Sequence, residues 1–174
     1  MKYKRLDSVS WKKFLDMLNS IENTNYSKEL YFKIKKCVLE HIDIFSAQPF
    51  SKYNIIEYCR LDIDQYPIYT TQAEMEELVF FIKNLNKYSF NDKESIARVM
   101  SELLEYLFVF RVNKVCKFCN SDGMVVYKNI VNSKLVYECP QCGSAVYVDN
   151  EVIQSVDQLT LPSKSDLEKY SLLK

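Results

Sequence analysis

Six cysteines occur in the chain, and four of them stand in two Cys-x-x-Cys pairs. The first pair is Cys116 and Cys119, the second is Cys139 and Cys142, and 19 residues separate the pairs. Each short pair can wrap two sulfurs around one side of an ion, and four thiolates complete a tetrahedral zinc shell. The intervening segment is long enough for a β-hairpin that brings the pairs together. The spacing therefore predicts one zinc ion held by four cysteines.

The residue after each pair also fits a metal-binding turn, or knuckle. Asn120 follows the first pair, and Gly143 follows the second. A knuckle needs a backbone position with positive φ close to the metal, which glycine adopts without penalty and asparagine tolerates next best. With its Cys-Pro-Gln-Cys-Gly second knuckle, the segment of about residues 111–150 resembles the zinc-ribbon family of four-cysteine domains. The resemblance implies a small β-sheet around a structural zinc ion.

Two disulfides are the alternative use of four cysteines. The start of the chain, Met1-Lys2-Tyr3-Lys4-Arg5, leads into a polar helix without the apolar stretch of a signal peptide. We therefore expect a cytoplasmic protein, in which paired cysteines stay reduced and more often bind metal. Because sulfur fills all four positions, we expect a structural zinc rather than a catalytic one. Cys37 and Cys59 are not expected to bind it.

The composition excludes several classes of function. Only two glycines occur, so Gly-rich phosphate loops and dinucleotide fingerprints are absent. The one histidine, His41, lies among apolar residues at helical spacing, which favours the edge of a core over catalysis. No apolar run approaches the ~20 residues of a membrane span, and no membrane partner is expected. Without paired carboxylates or a nucleophile–base set, we predict a non-enzymatic protein.

The apolar pattern predicts an α+β fold. About four helices form an N-terminal domain of residues 1–110, a three-stranded zinc ribbon spans 111–150, and 151–174 is a C-terminal extension that packs back on the body. Ser27 is expected to cap the second helix, which runs as far as Phe45. A capping box at Ser165–Glu168 is expected to open a short C-terminal helix. Residues 55–59 fit either a strand or a helical turn.

Charge is uneven along a chain whose formal net charge is zero. Residues 40–80 carry eight acidic and two basic residues, and tyrosines alternate with acids on the loop expected before residue 70. Such a segment suits a surface that meets a basic partner, since tyrosine is enriched at interface hot spots. The alternative is that the tyrosines cover the core and the acids are merely solvated. The predicted partner-binding residues are Tyr58, Asp62, Asp64, Tyr66 and Tyr69.

Two functions in binding fit these features. The first is a bacterial immunity or antitoxin-type inhibitor that caps a basic protein toxin, such as a nuclease; it rests on analogy of function. The alternative is a zinc-ribbon regulator that binds nucleic acid, helped by the basic residues before Lys36. Residues 111–150 carry five basic and three acidic residues, which is weak for a nucleic-acid binder. The five basic residues are Arg111, Lys114, Lys117, Lys128 and Lys134.

Overall fold

The computed structural model describes residues 7–21, 26–66, 68, 72–149, 151, 153 and 158–173, with the side chains of 72–74 excepted. The chain divides into two compact units. The first, here called the helical unit, comprises Met1–Leu61 and Ile68–Leu107. The second, the sheet unit, comprises Asp62–Pro67 and Phe108–Lys174. The α+β class is confirmed, with helices first and strands after them.

Within its described residues the helical unit contains six α-helices, four long and two short, where about four were expected. Their bounds are α1 Ser8–Asn19, α2 Tyr26–Glu40, α3 Ile42–Phe45, α4 Ile55–Arg60, α5 Gln72–Leu85 and α6 Lys93–Phe108, with a 3₁₀-helix at Phe50–Tyr53. The buried face of α1 follows the helical period from Trp11 to Leu18, and Asp7 caps its start by accepting from the Ser10 amide at 2.7 Å. None of the helices among the described residues has the length and apolar character needed to cross a bilayer.

Two local expectations for the helical unit are corrected. Ser27 is not the cap of the second helix, because α2 already begins at Tyr26 and Ser27 lies buried in its first turn. That helix also ends earlier, at Glu40, because His41 leaves the helical region with φ −124° and ψ 37°. The short helix α3 then restarts, and it buries Phe45 completely.

The sheet unit is built on an antiparallel sheet. Its strands are β1 Phe110–Val112, β2 Met124–Asn129, β3 Leu135–Glu138, β4 Ala145–Tyr147 and β5 Leu159–Thr160. The spatial order is β1-β2-β3-β4, and β5 pairs with β2. The expected ribbon of three strands corresponds to β2, β3 and β4. Five strands replace three because the outer edge of β2 is also paired, through Val126 with Phe110 of β1 and through Asn129 with Leu159 of β5.

The C-terminal helix α7, Lys164–Lys169, shares the core of the sheet unit. Its Leu167 packs in a buried cluster with Cys116, Met124, Val126, Leu135, Tyr137 and Cys139. The predicted capping box is displaced by two residues. Ser163 is the cap, its hydroxyl accepts from the Asp166 amide at 3.2 Å, and the Asp166 carboxylate accepts from the Ser163 amide at 3.0 Å. The predicted division at residues 110 and 150 stays a prediction.

Candidate metal centre

The hairpin of β2 and β3 brings the two cysteine pairs to one end of the sheet. The first pair lies between β1 and β2, and the second lies between β3 and β4. In the antiparallel register, Val125 near the start of β2 faces Glu138 at the end of β3. The segment before β2 and the segment after β3 therefore leave the sheet side by side. The turn of the hairpin, at the opposite end, has positive φ at Ser133.

The two knuckles have the same backbone hydrogen bonds. In the first, the Asn120 amide donates to the Cys116 carbonyl at 2.9 Å; in the second, the Gly143 amide donates to the Cys139 carbonyl at 2.8 Å. Asn120 has φ 60° and Gly143 has φ 69°. The expectation of a left-handed residue after each pair is thereby confirmed. Asparagine and glycine are the residues that adopt this conformation at least cost.

The first cysteine of each pair is also hydrogen-bonded to the serine that lies two residues after the pair. The Cys116 amide donates to the Ser121 carbonyl, and the Cys139 amide donates to the Ser144 carbonyl, both at 2.9 Å. These bonds close the two turns. Cys116 and Cys139 are fully buried, whereas the second cysteine of each pair is exposed.

The four sulfurs converge from the two knuckles. All four Sγ atoms lie within 4.8 Å of one another and could hold a metal ion. Across the knuckles, Cys116 Sγ lies 3.8 Å from Cys142 Sγ, and Cys119 Sγ lies 3.5 Å from Cys139 Sγ. A disulfide bond joins sulfurs about 2.05 Å apart, so these pairs are separate thiols. The alternative of two disulfides is therefore wrong.

Two serines complete the cluster, and sequence reasoning missed them. Ser121 Oγ lies 3.1 Å from the sulfurs of both Cys119 and Cys139. Ser144 Oγ lies 3.0 Å from the second sulfur of its own knuckle and 3.3 Å from Cys116 Sγ. Each hydroxyl thus contacts one sulfur of its own knuckle and one of the other. The signal was a repeated Cys-x-x-Cys-x-Ser pattern, which both knuckles carry.

The serines favour the thiolate form of the two buried cysteines. The Ser144 hydroxyl, followed by the backbone amides of Phe118 and Cys119 in the first knuckle, lowers the pKa of the Cys116 thiol to about 6. The Ser121 hydroxyl acts first among the groups that lower the pKa of Cys139. A hydrogen bond donated to the charged form of a group stabilises that form. Because thiolates are the form that binds metals, Cys116 and Cys139 are prepared for an ion. At Cys119 the Ser121 hydroxyl lowers the pKa, but burial and the hydrogen bonds with Cys139 and Cys142 raise it overall.

The other two cysteines and the histidine lie apart from this cluster, in the helical unit. Burial raises the pKa of both the Cys37 and the Cys59 thiol to about 12. Such thiols stay protonated and behave as small apolar side chains. His41 is half-buried just before α3. Among the described residues, the four paired cysteines form the one group identified as able to hold a metal.

The predicted partner-binding residues are divided between the two units. Tyr58 lies on α4 in the helical unit, and burial raises its pKa to about 12. Asp62, Asp64 and Tyr66 lie on a loop of the sheet unit, where both aspartates are exposed and Tyr66 is half-buried. Tyr69 lies outside the described residues. The structure therefore places the two acids and Tyr66 on one loop, and Tyr58 on a helix of the other unit.

The loop of Asp62 to Tyr66 is ordered by its own hydrogen bonds. The Asp62 carboxylate accepts from the Asp64 amide at 2.9 Å. The Asp62 carbonyl accepts from the amides of Gln65 at 3.1 Å and Tyr66 at 2.8 Å. The Gln65 carbonyl in turn accepts from the Lys164 amide at 2.7 Å, which ties the loop to the start of α7.

The basic residues of the sheet unit are partly neutralised. Lys128 pairs with Asp166 at 2.8 Å, and Lys134 pairs with both Asp149 and Glu151. Glu151 first, and then Asp149, raise the pKa of the Lys134 ammonium. The Lys114 ammonium lies 4.0 Å from the centre of the Tyr137 ring, and burial lowers its pKa. The five basic residues do not act as five free cations.

Comparison with known proteins finds no relative. A scan against protein-family models gives no match. A search of curated proteins gives none, and neither does a search of solved structures.

Proposed function

We propose that the protein is a non-enzymatic, zinc-stabilised binding protein that caps a basic protein partner, as a bacterial immunity protein or antitoxin-type inhibitor caps a cytoplasmic toxin. The four sulfurs would hold one zinc ion that stabilises the sheet unit. A regular tetrahedron of sulfurs at zinc–thiolate distance has edges of about 3.8 Å, close to the 3.5 and 3.8 Å separations across the knuckles. Four sulfurs leave no position for a substrate, which supports a structural role.

The observation that carries the proposed partner is the acidic loop of Asp62 to Tyr66. Its hydrogen bonds hold two exposed carboxylates and a half-buried tyrosine in one conformation. Among the described residues, neither carboxylate forms an ion pair, so both charges are available to a basic protein. A loop that is ordered before binding loses little entropy on association. Exposed charges of one sign also speed the encounter with a partner of opposite charge.

The proposal is tested by capture followed by kinetics. The protein is purified from its native host, the proteins that accompany it are identified, and binding of the identified partner is followed by surface plasmon resonance. We expect the captured partner to be a basic protein. The double variant Asp62→Asn with Asp64→Asn should associate with it about tenfold more slowly than the parent, and its association rate should depend less on salt. Asparagine keeps the side-chain oxygen that accepts from the Asp64 amide, so the loop retains its shape.

Two controls sharpen this experiment. Asp16→Asn with Asp43→Asn removes the same charge from exposed positions of the helical unit and should leave the association rate within about twofold. Tyr66→Ala should raise the dissociation rate. If Tyr66 is a hot spot, the rise corresponds to a loss of ~2 kcal/mol of binding free energy. A partner whose association rate responds equally to both aspartate pairs would show that only net charge matters, and the loop would not be the interface.

A nucleic-acid-binding regulator is the second candidate, and Phe118 at the first knuckle favours it. Its ring is 64% exposed, and Lys114, Lys117 and Phe118 line a small groove beside the knuckle. Exposed aromatic rings between cations stack bases of single strands. The ion pairs of Lys128 and Lys134 leave fewer cations for phosphates, so this candidate ranks below the protein binder.

Fluorescence titration with a labelled single-stranded oligonucleotide distinguishes the two candidates. The protein-binder proposal predicts affinity near or weaker than ~10⁻⁴ M at physiological salt for random sequences, single-stranded or duplex. Submicromolar, salt-sensitive binding that is lost in Phe118→Ser would reverse the ranking. Phe118→Ser should leave the metal content unchanged, since the side chain points into solvent.

A further inference from the structure

A groove between α1 and α2 lies wholly within the helical unit and has no part in the metal centre. Its volume is about 210 Å³. Residues spaced by three and four on each helix face it, so one stripe of each helix forms a wall. The residues that line it are Ser10, Lys13, Phe14, Met17, Lys33, Lys36, Cys37, Glu40 and His41.

The floor of this α1–α2 groove is apolar and polarisable. The Phe14 side chain and the Cys37 thiol are buried, and Met17 is half-buried beside them. Burial, helped by Glu40, raises the pKa of Cys37 to about 12, so the floor carries no thiolate. Thioethers, thiols and aromatic edges pack well against an apolar body. The floor therefore suits the hydrocarbon part of a ligand and not a hydrated ion.

The rim of the groove carries an excess of cations. Lys33 is held by an ion pair with Glu29 at 2.9 Å and donates to the Met17 carbonyl at 3.2 Å. Lys13 and Lys36 form no ion pair with any residue that the structure describes. Glu40 is the one acid on the rim. Two lysines that are free to turn inward face a single carboxylate, so the rim remains net positive.

From this arrangement we infer that the α1–α2 groove binds a small organic anion, a carboxylate or phosphate carried on an apolar body. The lysines Lys13 and Lys36 would pair with the anionic group, as ammonium groups do with phosphates and carboxylates. The apolar body would cover Phe14, Met17 and Cys37. A volume of about 210 Å³ is below the usual range for drug-sized ligands, which limits the ligand to a compact one.

The chain supplies its own reporter for this site. Trp11 is the single tryptophan, it is 2% exposed, and its ring centre lies 5.3 Å from that of Phe14 on the floor. A ligand that moves Phe14 should change the fluorescence of Trp11. Titrations of the full chain use octanoate and phenyl phosphate as probes, with amide chemical shifts in NMR as a second readout.

Matched probes separate charge from apolar contact. Octanoate or phenyl phosphate should bind saturably, with a Kd on the order of 0.1–1 mM, as expected for about ten heavy atoms. Neutral 1-octanol keeps the body without the charge, and inorganic phosphate keeps the charge without the body. Each should bind at least about tenfold more weakly. Preference for octanoate or for phenyl phosphate then shows which combination of anionic group and apolar body the groove fits better.

Two matched double variants test whether the probes bind in the α1–α2 groove. Lys13→Gln with Lys36→Gln should weaken the better probe about tenfold. Lys12→Gln with Lys28→Gln removes the same charge from exposed positions of α1 and α2 outside the groove, and should change the Kd less than twofold. The inference is overturned if neither probe saturates by about 10 mM, if 1-octanol binds as well as octanoate, or if the two double variants weaken binding equally.

Discussion

The two knuckles adopt one geometry from different sequences. Both carry a buried first cysteine, an exposed second cysteine and a left-handed residue after the pair. Their hydrogen bonds agree within 0.1 Å, at 2.9 and 2.8 Å for the bond that closes each turn. The residues between the cysteines differ, because Lys117 and Phe118 stand in the first knuckle and Pro140 and Gln141 in the second.

The difference separates the positions that build the site from those that are free to vary. The cysteines, the left-handed residue and the serine are shared in type or in conformation. The two intervening side chains are exposed in both knuckles. A surface function can therefore be placed on the first knuckle, at Phe118, without altering the metal centre.

The largest effect is expected from removing a sulfur. Cys116→Ser and Cys139→Ser should each abolish zinc binding, because three thiolates and a hydroxyl do not complete the shell. Zinc binding supplies folding free energy of order 10 kcal/mol or more in small zinc modules, so the sheet unit should lose its structure as well. Metal analysis of protein kept reduced, together with circular dichroism, measures both effects. By the equivalence of the knuckles, the two variants should be alike.

Cysteine substitutions outside the cluster are the matched controls. Cys37→Ser and Cys59→Ser place a hydroxyl in the core of the helical unit and should lower its stability by about 1–3 kcal/mol. The zinc content should remain one per chain. Wild-type protein without zinc, or a Cys139→Ser variant that still holds it, would contradict the proposed metal.

A smaller effect is expected from the serines. Ser121→Ala and Ser144→Ala each remove a hydroxyl that contacts two sulfurs, and should lower the zinc affinity about tenfold. The double variant should lose about a hundredfold if the two act independently. Competition with a chromophoric chelator measures the affinity, and Ser51→Ala, an exposed serine of the helical unit, is the control. If Ser121→Ala and Ser144→Ala lower the zinc affinity by different factors, the two knuckles are equivalent in backbone shape but not in the contribution of their serines.

A comparable effect, on the stability of the sheet unit, is expected at the left-handed positions. Gly143→Ala should destabilise the sheet unit by about 1–2 kcal/mol, the cost of left-handed backbone for a residue with a Cβ. An added Cβ would meet nothing within 4 Å, so crowding contributes nothing. Asn120→Gly should be neutral or slightly stabilising. Denaturant unfolding of the zinc-loaded protein tests both, and a Gly143→Ala variant as stable as the parent would contradict this explanation.

The smallest effect on stability is expected from the exposed side chains between the two cysteines of each knuckle. Phe118→Gln and Gln141→Phe exchange the exposed side chains and should change the free energy of unfolding by less than about 0.5 kcal/mol. Thermal unfolding measures this, with zinc content as the control. A loss of more than about 2 kcal/mol in Phe118→Gln would mean that the ring is packed and not available to a ligand.

The candidate metal centre was predictable because its determinants are local. They are the Cys-x-x-Cys spacing and the tolerance of Asn120 and Gly143 for positive φ, which can be read directly from the sequence. The strand β5 was not predictable, since two residues carry no alternating pattern and their pairing with β2 spans about 30 positions of sequence. The serines were visible only by comparing the two knuckles with each other.

Local sequence motifs did not predict the structure where two capping patterns overlapped, or where burial of one face determined the secondary structure. Ser163 and Ser165 each stand three residues before an acid, and the first of these patterns forms the cap. The segment Ile55–Arg60 has β-branched residues, but it becomes a helix that buries Ile55, Ile56 and Cys59. Packing of one face outweighed the intrinsic preference of isoleucine for strands.

The hairpin register also has a kinetic consequence. Strands β2 and β3 are neighbours in sequence, so their pairing from Lys128↔Leu135 to Val125↔Glu138 can proceed by zipping from one short turn. Each step brings the cysteine pairs closer, until the last rungs deliver both at the same end. The thiols need not find one another by random closure of a 19-residue loop, whose entropy the hairpin has already removed. We expect the two cysteine pairs to approach each other on the timescale of hairpin formation.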